Sequence, residues 1–200
     1  MERKQNESGK PYTSSSHPLH VDFLRREDLP LPGHLGLCMC PGLKDPELDG
    51  RSWDRNLRAD LLRLKEVYDT RLLVSLMQDH EYHAFGVPEL SRSSLLQGVK
   101  IERFPIRDVD VPREAEAERF GDLVQKIIRN LGEGNNTVLH CRAGLGRSGT
   151  VAACVLAALG RHTPEEAIEA VRLARPGALQ TPSQVEFVHA FAQRMEGERH

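Results

Sequence analysis

The stretch VLHCRAGLGRSGT, residues 138–150, ends an apolar pair in His140 and Cys141, then sets Gly144, Gly146 and Gly149 around Arg142 and Arg147. It runs on into VAACVLAAL, residues 151–159, which has the composition of a buried helix. A short apolar run, a glycine-bearing turn and a helix make a strand–loop–helix unit. Repeated along the chain, such units build an α/β domain with a parallel central sheet.

The same unit makes an anion site. Successive backbone N–H groups of the turn point inward, and the helix N-terminus adds positive partial charge. Arg147, where the loop becomes the helix, can fork onto two oxygens of a phosphate. The field that favours phosphate also favours the thiolate of Cys141. A thiolate aimed into a phosphate cradle is a phosphoryl acceptor, and water then hydrolyses the cysteinyl-phosphate. Ser148 is placed to donate a hydrogen bond to the departing sulfur, and His140 to fix the loop rather than to act as a base. A Walker A loop would need a lysine that is absent. A dinucleotide fingerprint has no use for a thiol. A purely structural cysteine leaves Arg147 and the paired glycines without a purpose.

Working outward, HLGLCMC (34–40) reads as a first strand ended by Pro-Gly. WDRNLRADLLRLKEVY (53–68) carries a leucine stripe, with Asp54 as the expected helix N-cap. TRLLVSLM (70–77) and GVKIERFPI (98–106) read as strands, DHEYH (79–83) as a loop, and 113–131 as a helix after the loop RDVDVP. NNTVLH (135–140) is the strand that feeds the cradle. Helices then start near Arg147, at TPEE, where Thr163 and Glu166 form a capping box, and at TPSQ. The fold class is therefore α/β, a central, mainly parallel sheet flanked by helices. Residues 1–17 are polar and expected to be disordered, 18–195 to form one domain, and 196–200 a tail.

The chain has 200 residues, of which 39% are hydrophobic and 28% charged, with a formal net charge of -2. That balance argues against a general nucleic-acid binder. No apolar run is long enough to span a membrane. The N-terminus lacks the apolar core of a signal peptide, so a cytoplasmic protein is expected. Cys38, Cys40, Cys141 and Cys154 do not read as a disulfide framework. Cys-Met-Cys has no second ligand pair at zinc-like spacing, so no metal is expected.

Residues 140–148 match His-Cys-x-x-Gly-x-x-Arg-Ser/Thr, and with LGLCMCPG, FPIRD, GLGRSGTVAAC and ALQTPSQ the chain resembles the protein tyrosine phosphatase superfamily. The likeness is to its dual-specificity, cyclin-dependent-kinase-associated branch, and it spans about residues 35–191. It implies a dual-specificity-like fold and a cysteinyl-phosphate mechanism without metal or cofactor. It makes Cys141 the nucleophile, Arg147 the clamp, and the backbone of Arg142, Ala143, Gly144, Leu145 and Gly146 the cradle. The proton donor would be an aspartate of FPIRDVDVP. The branch pattern selects Asp108, while Asp110 is the alternative or a cap for the following helix. Gln180 resembles the glutamine that places the hydrolytic water, and Gln184 reads as a cap partner of Thr181. Glu81 either supports the arginine or is an exposed charge. With Ala143 and Leu145 in the loop, Arg142 is its only additional cation. A phosphoprotein substrate, on phosphotyrosine and on phosphoserine or phosphothreonine, therefore ranks before a phosphoinositide, and turnover before a phosphate-binding adaptor. A kinase partner follows from the resemblance alone. Cys38 or Cys40 is the candidate to protect Cys141 as a disulfide.

Overall fold

In the computed structural model, which describes residues 10–197, period-two alternation of apolar residues sorts the strands' side chains onto two faces of one sheet. The strands are β1 (Asp22–Phe23), β2 (Leu35–Cys38), β5 (Thr70–Ser75), β6 (Lys100–Arg103) and β7 (Asn136–His140). Their order is β1-β2-β7-β5-β6. The last four in that order run parallel, and β1 closes one edge antiparallel to β2. Two further strands, β3 (Lys44–Asp45) and β4 (Trp53–Asp54), form a separate hairpin.

Leu35, Leu37, Leu72, Val74 and Leu139 face one side, under α4 (Ala117–Gly132), α5 (Gly146–Ala158), α6 (Pro164–Ala174) and α7 (Pro182–Gly197). Cys38, Leu73 and Val138 face the other, under α1 (Leu57–Glu66), α3 (Leu90–Leu96) and the hairpin's Trp53. The remaining helix, α2 (Asp79–Ala84), follows β5. Burial on both faces is what lets these strands stay apolar and parallel. Helix α5 is buried along nearly its whole length. β7 pairs through His140 with Cys38 on one side and Ser75 on the other, so three strands end level beside the glycine-rich turn. That is the carboxyl end of the sheet, where open α/β sheets bind ligands.

The capping box of TPEE is present, with Thr163 Oγ1 accepting from Glu166 N at 3.2 Å and Glu166 Oε2 from Thr163 N at 2.8 Å. Other local expectations shift. Asp54 does not cap α1, because Trp53 and Asp54 pair with β3. Asn56 takes the cap, its Oδ1 accepting from Ala59 N at 2.9 Å. Residues 79–83 are helical rather than a loop, started by a capping box between Gln78 and Glu81. Of the expected disordered segment 1–17, residues 1–9 lie outside the described residues, and so do 198–200 of the tail. Residues 10–17 pack on the domain. Tyr12 N donates to Ser52 O at 2.8 Å, and Asp54 N to Tyr12 O at 3.0 Å. Tyr12 also lies against Trp53, ring centroids 5.1 Å apart.

Candidate active site

β7 ends at His140 and α5 begins at Gly146, so residues 141–145 form a five-residue bend over the end of the sheet. Four successive carbonyls of this bend are bonded from outside it. Arg142 O accepts from Cys40 N at 3.0 Å, and Leu145 O from Gly149 N at 2.9 Å. Arg175 holds the two between, donating from Nη2 to Ala143 O at 2.7 Å and from Nε to Gly144 O at 3.1 Å. A trans peptide sends its carbonyl and the next N–H in opposite directions. Tying these carbonyls outward therefore turns the N–H groups of Ala143, Gly144, Leu145 and Gly146 toward the centre of the bend.

Close approach dictates the glycines here. Gly144 has φ +71°, and a Cβ on it would collide with the Cys38 carbonyl of β2. A Cβ on Gly146 would come within 2.8 Å of Gln180 Oε1 and 2.9 Å of Gln184 Nε2. Cys141 is buried at the base of the bend. His140 is fully buried, and burial drives its pKa down to about 4, so it is neutral at physiological pH. Its Nδ1 lies 3.2 Å from Cys141 O and donates to it, which suits a loop-fixing role. Ser148 Oγ is buried and bonded to no protein atom.

Arg147 is 1% exposed, and a carboxylate straddles its guanidinium. Nη1 donates to Glu81 Oε2 at 2.7 Å and Nη2 to Glu81 Oε1 at 2.9 Å. Nη1 also reaches Ile106 O at 3.0 Å. Burial opposes the cation, but the bond to Glu81 and the neighbouring Cys141 raise the Arg147 pKa on balance. Glu81 is thus the buried support of the clamp and not an exposed charge. Its own orientation is set by Gln78 N, which donates to Oε2 at 2.7 Å.

Asp108 Oδ1 lies 2.9 Å from Arg147 Nη2, on a side chain 54% exposed to solvent. Asp110 faces its own loop, with Oδ1 accepting from Val111 N at 2.9 Å. It does not cap the next helix, since the turn that begins at Glu114 is capped by Arg113. Gln184 is fully buried, and its Oε1 accepts from Gln180 N at 2.8 Å and from Thr181 N at 3.3 Å. Its Nε2 donates to Asp110 O at 3.3 Å, so it ties the aspartate loop to the start of α7 while serving as the cap.

The structure therefore brings Cys141, Arg147, Asp108 and the cradle together, with Gln180 beside Gly146. Sequence reasoning missed Arg175, whose Nη1 is also ion-paired with Asp22 of β1. It also missed Asp45, whose Oδ2 accepts from Arg142 Nε at 2.7 Å. Nothing in local spacing signals either pair, because the partners lie far apart in the chain. Cys38 and Cys40 are buried free thiols. Burial pushes Cys38 up to about 12 and Cys40 well above its ordinary value.

Comparison with known proteins fits this geometry. Residues 47–194 match the family described as Swiss Army Knife protein, DSP-PTPase phosphatase domain. Human cyclin-dependent kinase inhibitor 3 is 29% identical over 188 residues, covering 93% of this chain and 84% of its own. A crystal structure of kinase-associated phosphatase with its catalytic-site cysteine replaced by serine superposes with a TM-score of 0.79 at 28% identity, over 89% of this chain and 96% of that one. Tk-PTP in its active form gives a TM-score of 0.67 at 25% identity, over 87% and 97%.

Proposed function

The chain belongs to the DSP-PTPase family of cysteine-dependent phosphatases, and from that premise we propose that it hydrolyses phosphotyrosine, and phosphoserine or phosphothreonine, on proteins. The observation that carries the reading is the buried Arg147, backed by Glu81 and holding a solvent-exposed carboxylate, Asp108, beside a ring of inward N–H groups. An incoming phosphate is a better ligand for Arg147 than one carboxylate oxygen, because it also reaches the cradle amides.

Phosphate binding displaces Asp108 from Arg147 and leaves it at the mouth, where the freed carboxylate takes up a proton from water and passes it to the leaving oxygen. Cys141 Sγ forms a bond to phosphorus as the bond to that oxygen breaks. Arg147 and the amides of residues 142–146 hold the equatorial oxygens through the step. Gln180 then orients a water, Asp108 takes its proton, and the new P–O bond expels the thiolate. Ser148 donates its otherwise unbonded hydroxyl to the departing sulfur. Chain, substrate and water supply every proton and electron pair in this scheme.

We assign the phosphatase domain to residues 18–195, with residues 10–17 packed on it. Among the described residues no helix is long and apolar enough to cross a membrane. We place the protein in the cytoplasm, a compartment in which its four free cysteines stay reduced. A protein kinase is the partner class suggested by the human relative's name.

The test is Cys141→Ser, assayed on p-nitrophenyl phosphate, a phosphopeptide panel and phosphoinositide vesicles. The expected result is loss of at least about 10⁴-fold in kcat with retained tungstate binding, and wild-type turnover of peptides ahead of lipids. Undiminished turnover in the variant sinks the mechanism, and lipids ahead of peptides sink the substrate class.

A further inference from the structure

Arg142 is the one cation at the variable positions of the bend, and its surroundings cancel it. Nε donates to Asp45 Oδ2 at 2.7 Å, and the guanidinium lies over the Phe85 ring, 5.1 Å from its centroid. Asp45 is well placed to hold it. It is 3% exposed, it ends β3, and its Oδ1 accepts from Glu47 N at 3.0 Å. Burial pushes the Asp45 carboxyl up, but the bonds from Arg142 and Glu47 N outweigh this and hold it below the ordinary carboxylate value. Asp45 is therefore ionised at neutral pH, and the pair is neutral as a unit.

A bare guanidinium next to the cradle would draw in any second anionic group carried beside the reacting phosphate. A guanidinium already matched by a carboxylate offers that group little, because the Coulomb attraction of Arg142 is offset by the repulsion of Asp45. We propose that the Asp45–Arg142 pair sets substrate preference, selecting an isolated phosphomonoester on a protein side chain over one with a second phosphate beside it. The proposal rests on the phosphatase reading and sharpens its substrate class. Asp45 acts through Arg142 and so is a specificity-positioning residue, not a catalytic one.

The experiment compares kcat/KM on two matched peptides, one singly phosphorylated with neutral neighbours and one with a second phosphate on the adjacent residue. Asp45→Asn keeps the shape and removes the negative charge. It is expected to raise the doubly-to-singly phosphorylated ratio roughly fivefold at low salt, with the gain shrinking in about 0.5 M salt. Arg142→Gln leaves Asp45 unmatched and is expected to lower the same ratio. The double variant should return it close to the wild-type value, a coupling that loss of packing alone does not produce. If Asp45→Asn does not fold, the direction of the Arg142→Gln change decides. A ratio unmoved in both single variants, or moved the same way in both, overturns the proposal. So does wild-type preference for the doubly phosphorylated peptide. Absence of wild-type turnover on p-nitrophenyl phosphate overturns the phosphatase reading itself, and is told apart by that assay.

Discussion

Among the described residues two arginines are almost completely buried, and each is clasped by a carboxylate, yet they serve different ends. Arg55, 2% exposed, donates Nε and Nη2 to Asp60 at 2.8 and 2.9 Å and Nη1 to His17 O at 2.9 Å. Asp60 in turn accepts from Gly42 N at 2.9 Å, so the pair joins the first helix, the Pro-Gly turn and the N-terminal segment. Arg147 has the same kind of clasp from Glu81, but its Nε is bonded to no protein atom and its Nη2 meets the exposed Asp108. The first arginine spends its guanidinium on its own fold. The second keeps an edge for a visitor. Burial and pairing alone therefore do not mark a functional arginine; what marks it is one donor without a protein partner and another held by an exposed, displaceable carboxylate.

Of the variants that test this distinction Arg147→Lys has the largest expected effect, because it keeps the charge and loses the fork. It should lower kcat on p-nitrophenyl phosphate by about 10³-fold. Comparable loss in Arg55→Lys, assayed well below its melting temperature, would break the distinction. Asp60→Asn leaves Arg55 buried without its counter-charge. Denaturant titration should show about 3 kcal/mol of lost stability, with kcat within about threefold of wild type. Asp108→Ala should reduce kcat about 10²-fold and flatten the fall of kcat with rising pH, whereas Asp110→Ala should not. An exchange of those two results would move the acid to Asp110.

The smallest effect concerns His140, which is buried like the arginines but uncharged. Its folded pKa of about 4 lies below the ordinary imidazole value of 6.5. Between those values the unfolded chain holds a proton that the folded protein does not, so stability is full above the upper value and falls as pH drops. Urea unfolding should show about 2 kcal/mol of this loss between pH 7 and pH 5. His140→Gln should remove that part of the slope. An unchanged slope would mean the imidazole is charged in the fold.

The cradle was legible because it is contiguous. Residues 140–148 carry thiol, glycines, arginine and serine in one run, and residues 151–159 of the helix that follows are all apolar. The capping box at Thr163 was legible for the same reason. What the chain does not display locally is pairing across distance. Glu81 reads equally as support or as surface charge, because only folding brings it to a partner 66 residues away. From the sequence Arg142 reads only as an additional cation of the loop, and the fold sets Asp45, 97 residues away, beside it. The sequence sets the start of α1 too early because Trp53 and Asp54 fit a leucine-striped helix by composition. A hairpin partner took their backbone instead. The short α2 lacks an apolar stripe, and its formation depends on a capping box whose glutamate also serves Arg147.

That dependence on distant partners has a kinetic consequence. The bend is tied by bonds to Arg175, which is in turn anchored to Asp22, 153 residues earlier in the chain. Such closures are entropically expensive and wait for the elements between them to order. During refolding, helical signal should recover first and phosphate turnover last. Regained activity then reports completion of the whole architecture, from its N-terminal edge strand to the loop before its last helix, rather than the recovery of one motif.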